Sequence, residues 1–289
     1  LSLLDKYFSG NNRQFWGYEI INIGDREGGG RLWQSGSIDM PFRVNIQQAV
    51  NSSSGSVNLA GNINTHGQDF TIGSREVNLD DTHINADGAD RNHDGNVSIQ
   101  ADALNVTNGS SISGHGEVSF DTYTPGKTIN FGTGSGGLDL AGDTFTSTGK
   151  IQNFKKNTVG DAAKKANIIA NGVTADEDLE MYTGAGTLTV SGAVNIASTH
   201  ALTLGSKNAM TGAGVITADA LKLDAADATV NLTGANAVKK LDGKAKALTL
   251  KNGGDLTVGE DTGLVTTNGA DVEVTAGDLT VGAHGITNG

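Results

Sequence analysis

Val57-Asn58-Leu59, followed by Ile63-Asn64, returns twenty residues later as Val77-Asn78-Leu79, followed by Ile84-Asn85. The apolar-x-apolar triplet then recurs in near-register as Val97-Ser98-Ile99, Val118-Ser119-Phe120 and Leu138-Asp139-Leu140. In an extended strand alternate side chains face opposite ways, so Val57 and Leu59 point to one side and Asn58 to the other. A coil of about 20 residues carrying two or three such strands cannot bury its own apolar set. Stacking coils one strand spacing apart buries those side chains in one core and pairs the backbones between coils. The repeat therefore predicts an all-β chain, a right-handed parallel β-helix (solenoid) with coils of about 20 residues. Roughly thirteen such coils would make a rod of about 60 Å.

Further strand-like segments lie between the triplets: Phe70-Thr71-Ile72, Leu104-Asn105-Val106 and Ile129-Asn130-Phe131. The second half repeats in the same style. Asp255-Leu256-Thr257-Val258-Gly259 recurs identically as Asp278-Leu279-Thr280-Val281-Gly282. Leu188-Thr189-Val190, Leu202-Thr203-Leu204, Leu221-Lys222-Leu223 and Leu248-Thr249-Leu250 place Thr or Lys at outward positions, where Thr suits both the strand and water. Asn-Gly pairs at 108–109, 171–172, 252–253 and 268–269 mark turns.

Composition agrees. The 289 residues hold 42 Gly, 2 Pro and no Cys. That glycine share is about twice the usual 7%, without a Gly-X-Y period, and it punctuates apolar pairs as the turns of many short strands would. The net charge of -12 argues against nucleic acid and anionic membranes as partners. No apolar run reaches the length of a transmembrane segment.

The pattern divides the chain. Residues 1–50 hold seven of the aromatics: Tyr7, Phe8, Phe15, Trp16, Tyr18, Trp33 and Phe42. This region is expected to be an N-terminal cap over the first coil, or a contact region in which Phe15, Trp16, Tyr18 and Trp33 form an exposed surface. Residues 51–154 form one β-helix segment. Residues 155–178, rich in Lys and Ala, are expected to leave the coil as an irregular excursion or joint, with a short helix from Asp161 to Ala170. Residues 179–289 form the second β-helix segment. No cap signal follows Ile286, so the stack is expected to continue or to meet another surface there.

The segment from Gly186 to Gly289 resembles the filamentous-haemagglutinin-like exoproteins of Gram-negative bacteria. The matching runs are Gly-Thr-Leu-Thr-Val (186–190), Ala-Leu-Thr-Leu (201–204 and 247–250), Leu-Thr-Gly-Ala-Asn-Ala-Val (232–238) and Gly-Asp-Leu-Thr-Val (254–258 and 277–281). Asn96 to Ala101 and Asn108 to Ser113 are similar to that family as well. The resemblance implies secretion through an outer-membrane partner, a β-helical stalk at the cell surface, and a role as an adhesin or biofilm matrix filament. One departure stands out: neither Pro41 nor Pro125 follows an Asn, so the Asn-Pro-Asn type motif of the family's secretion domain is missing.

Candidate sites are few. Asp90-x-Asn92-x-Asp94-Gly95 looks like the first half of a calcium loop, in which alternating oxygens wrap one cation, the glycine permits a sharp turn, and Asp87 adds a ligand. Position twelve of such a loop is Ala101, where a bidentate acid is expected, and Asp102 falls one residue late. The competing reading is a polar turn between two strands. Asp80-Asp81 and Gly114-His115-Gly116 resemble fragments of the polygalacturonase pattern, which would make the chain a carbohydrate-active β-helix. Its companion motifs are missing, since Asn64-Thr65 runs into His66. Turn residues on a repeat are the better reading, and the chain is not expected to be an enzyme. Lys239, Lys240, Lys244, Lys246 and Lys251 suit a solvated edge, or contact with an acidic polysaccharide or host surface. Asn58, Asn64, Asn78 and Asn85 are expected to stack as amide ladders. Open coil ends carry unpaired edges and favour end-to-end self-association.

Overall fold

The computed structural model of the chain describes residues 20–24, 31–35, 38–39, 43–47, 55–88, 94–107, 109–267 and 271–288. Among them every regular element is a strand, and no helix is long and apolar enough to cross a membrane. The strands join one large sheet whose pairings are all parallel. Strands pair with ones a coil ahead, as where Leu179 faces Leu202, Leu202 faces Leu221 and Leu256 faces Leu279. Such short-range parallel stacking without crossover helices is consistent with a β-helix or solenoid.

Alternation explains the core. Val57, Leu59, Ile72, Val77, Leu79, Leu188, Leu202 and Leu204 lie buried, while Asn58, Asn78, Thr189 and Thr203 between them stay at least partly in water. Full burial of one such aliphatic side chain contributes about 1.5–3 kcal/mol. Phe120 and Phe131 both meet Phe145, at centroid distances of 5.7 and 5.5 Å. This aromatic trio fills the core where strand Ile129–Gly132 stacks on strand Ile168–Asn171.

Register corrects the twenty-residue column. Val57 does stack on Val77, but Val77 stacks on Leu104. Val97 instead faces Phe70 on one side and Val118 on the other. The step from Val77 to Val97 therefore moves to a different row of strands, because this coil takes 27 residues (Phe70 to Val97). Leu138 pairs with Ile129 rather than with the Val118 triplet. Coil length varies with the turns, and side-chain alternation within each strand is what stays fixed.

The helix expected from Asp161 to Ala170 is a second correction. Strand Lys156–Asp161 pairs with Glu117–Asp121 on one side and Leu179–Thr183 on the other. Strand Ile168–Asn171 is likewise paired on both sides. Residues 162–167 join them, opening with a turn closed by the Lys164 N–H on the Asp161 carbonyl at 3.0 Å. A short Ala-Lys run cannot nucleate a helix when both flanks gain two ladders of hydrogen bonds.

Ile216–Asn252 is one extended run of 37 residues that pairs with strands of several coils. It bends where polar side chains turn inward. Asn236, wholly buried, accepts from the Ile216 N–H (2.8 Å) and donates to the Lys251 carbonyl (2.8 Å). Asn252 accepts from the Val238 N–H at 2.9 Å and donates to the Val238 carbonyl at 3.0 Å. Both replace ladder bonds that the corners break.

Candidate functional site

The loop from Ala86 to Gly95 is closed at its base by the Gly95 N–H on the Ala86 carbonyl, at 3.0 Å. This brings Asp87 and Asp94 to the base; Asp90 and Asn92 lie outside the described residues. Asp87 is occupied locally. Its N–H donates to Asn85 Oδ1 at 3.0 Å, and its own Oδ1 meets His115 Nδ1 at 2.7 Å. Asp94 Oδ1 is buried with no hydrogen-bond partner among the described residues. Among the described residues no three His, Asp or Glu side chains converge as a metal would require. By themselves, then, the described residues do not build a calcium cage. Gly95 also has a different reason from the one expected. A Cβ there would lie 2.1 Å from the Gln68 carbonyl oxygen, so glycine is required by close approach of the neighbouring coil.

The aromatic contact surface falls largely outside the described residues, which include none of Phe15, Trp16 and Tyr18. The Trp33 backbone belongs to strand Arg31–Ser35 and stacks on Asn58.

The polygalacturonase-like fragments make contacts between coils. Asp80 Oδ1 accepts from Thr107 Oγ1 at 3.0 Å, and His115 is held by Asp87. The asparagines behave in two ways. Asn78 donates to Asn58 Oδ1 (2.8 Å) and Asn105 donates to Asn78 Oδ1 (2.7 Å), a true ladder across three coils. Asn64 and Asn85 also stack in register, but their side chains accept from the backbone two residues on, from His66 and Asp87. They close local turns instead.

Three features had no sequence signal. The first is a cleft of about 80 Å³ lined by Tyr182, Ser206, Lys207, Asp224 and Asp227. Tyr182 lies across Gly205, where a Cβ would come within 2.2 Å of its ring. Burial, with the Glu180 and Asp224 carboxylates adding to it, pushes the Tyr182 phenol up to about 12. The second is an ion pair in which Lys164 Nζ lies 2.5 Å from Oδ2 of the buried Asp121. The third is the last described coil. Leu279 and Val281 stack directly on the buried Leu256 and Val258, and Ile286 on the buried Leu264, yet Leu279, Val281 and Ile286 are 49%, 58% and 41% exposed.

No protein-family model, curated protein or solved structure matches the chain.

Proposed function

We propose that this chain is a right-handed parallel β-helical rod of a secreted cell-surface adhesin or extracellular matrix filament, exported with an outer-membrane partner and extended by end-to-end stacking. The observation that carries this reading is the parallel stacking of coil on coil in register, Leu179 on Leu202 and Leu202 on Leu221, with each buried aliphatic row continued by the next coil. A stack of this kind lengthens by adding coils in the same register, and strand edges at the ends of a stack favour association. The runs shared with filamentous-haemagglutinin-like exoproteins support the surface role, and the outward Thr and Asn rows suit contact with a polar host or matrix surface.

Electron microscopy of the purified chain tests it. Filaments one coil stack wide are expected, and Val281→Lys should reduce them to short rods. Short rods only, from the unsubstituted chain at high concentration, would overturn end-to-end assembly.

A second reading, polysaccharide binding, draws on the cleft beside Tyr182, where an aromatic ring lies among Lys207, Asp224 and Asp227. Retention of the chain on an immobilised polysaccharide such as polygalacturonate, lost in Tyr182→Ala, would favour it over assembly alone.

A further inference from the structure

Strand Glu117–Asp121 and strand Lys156–Asp161 stack in parallel, Glu117 on Lys156 and Phe120 on Val159. The chain between them carries strands Ile129–Gly132, Leu138–Leu140 and Ile151–Gln152. Asp121 ends the first strand with its side chain inside, 6% exposed, beside Thr122 at 1%. After the second strand the backbone folds back in a tight turn. Asp161 Oδ1 accepts from the Ala163 N–H at 2.7 Å, and the Asp161 carbonyl accepts from the Lys164 N–H at 3.0 Å. The Gly184 N–H of the next coil holds the Lys164 carbonyl at 2.8 Å. Pinned on both sides, Lys164 sends its side chain down onto Asp121.

The contact is short but is not a hydrogen bond. Nζ lies 2.5 Å from Oδ2, yet neither Asp121 oxygen has a partner in hydrogen-bonding geometry, and Thr122 Oγ1 has none either. A buried carboxylate and ammonium normally compensate their lost hydration with directed hydrogen bonds. Here the nitrogen lies against the carboxyl group off the hydrogen-bonding direction, its close approach being to Oδ2, the atom bonded to Cγ. Burial is the largest influence on the Asp121 carboxyl and pushes it above the ordinary carboxylate range. The Lys164 ammonium opposes that shift, and the Asp161 carboxylate adds to it. Burial thus favours the protonated form of the Asp121 carboxyl.

We propose that Lys164 and Asp121 join spontaneously in an intramolecular amide cross-link. One proton passes from the ammonium to the carboxylate. The neutral Nζ then attacks Cγ, the Nζ–Cγ bond forms, and a Cγ–O bond breaks. The departing hydroxyl takes a second amine hydrogen and leaves as water. No electrons are exchanged and no co-reactant is needed. The product joins the end of strand Glu117–Asp121 to the turn after the strand stacked on it, in a chain with no cysteine to form a disulfide.

Intact mass spectrometry of the purified full chain tests this. The expected mass is one water below that of the sequence, with Lys164→Arg and Asp121→Ala both at full mass. Proteolytic digestion should release a branched peptide joining the Asp121 and Lys164 segments. A wild-type chain at full mass after prolonged incubation near neutral pH overturns the proposal. So does a lost water mapped to another site, such as a cyclised Asp-Gly turn. If either variant fails to fold, the wild-type mass and the branched peptide decide alone.

Discussion

Replacing Gly214 with alanine sets backbone propensity against coil packing, and the two predict opposite signs. Gly214 lies at a bend between strands and is not among the glycines of positive φ; alanine at such a site restricts the unfolded chain and on that ground alone stabilises by about 0.4–1 kcal/mol. The structure predicts the reverse. A Cβ on Gly214 would lie 2.2 Å from the Gly192 carbonyl oxygen and 2.8 Å from its carbonyl carbon and nitrogen. An ordinary contact needs roughly 3.5 Å, so the coils must part by about 1 Å at this corner. Two bonds sit there: the Gly214 N–H on the Val190 carbonyl at 3.0 Å and the Val194 N–H on the Val215 carbonyl at 2.9 Å. Losing both costs about 2 kcal/mol, overpacking adds about 1–3 kcal/mol, and propensity returns at most about 1 kcal/mol. The net expectation is a loss of about 2–4 kcal/mol.

Gly254 is the matched control. It is exposed, has no atom within 4 Å of an added Cβ, and is not among the glycines of positive φ. Gly254→Ala should therefore be neutral or raise stability by up to about 1 kcal/mol. Urea unfolding of both variants, compared by midpoint at unchanged slope, gives the answer. A Gly214→Ala chain as stable as the wild type, or a Gly254→Ala chain destabilised equally, would refute the close-approach argument.

Leu204 is wholly buried between Met181 and Leu223, so Leu204→Ala should cost about 2–5 kcal/mol in the same urea experiment. Asn78→Asp removes the donor to Asn58 and sets a carboxylate beside Glu76. It should cost about 1 kcal/mol, with part of the loss recovered in high salt. Tyr182 should be the last tyrosine to ionise in a spectrophotometric titration, and Tyr182→Phe should delete that step. The sign follows from its raised value. The folded state holds the phenolic proton more tightly, so Tyr182 contributes stability below pH 10, and that contribution is lost as the pH rises towards about 12.

What the sequence makes legible is alternation, because one buried face imposes a period of two on every strand. Val57-Asn58-Leu59 and its repeats, and the identical runs at 255–259 and 278–282, read directly as stacked strands and pair that way. Coil length is less legible, since a turn tolerates added residues without disturbing the ladder. Val97 thus falls twenty residues after Val77 yet belongs to another row. The Lys-Ala stretch reads as helical on local propensity, and tertiary pairing overrides it. The candidate sites are harder still. That Asp87 belongs to His115, or Lys164 to Asp121, depends on which turns stack, and no local spacing encodes it.

Buried polar groups show where this scaffold departs from its own rule. Asn236 and Asn252 spend their amides on corner backbone. Asp242, 1% exposed, accepts through Oδ1 from the N–H groups of Asp261, Thr262 and Gly263 at 3.1, 2.9 and 3.0 Å. Asp102, 8% exposed, accepts from both the N–H and the hydroxyl of Thr124. Each of these inward groups has a structural task that a hydrophobic residue could not perform. Asp121 differs: among the described residues neither of its oxygens has a partner in hydrogen-bonding geometry, and the Lys164 amine lies against it. An ionised carboxylate kept inside without hydrogen bonds costs several kcal/mol, and an apolar side chain at the end of strand Glu117–Asp121 would avoid that cost. A covalent bond to Lys164 removes both charges at once, which separates Asp121 from the capping carboxylates around it.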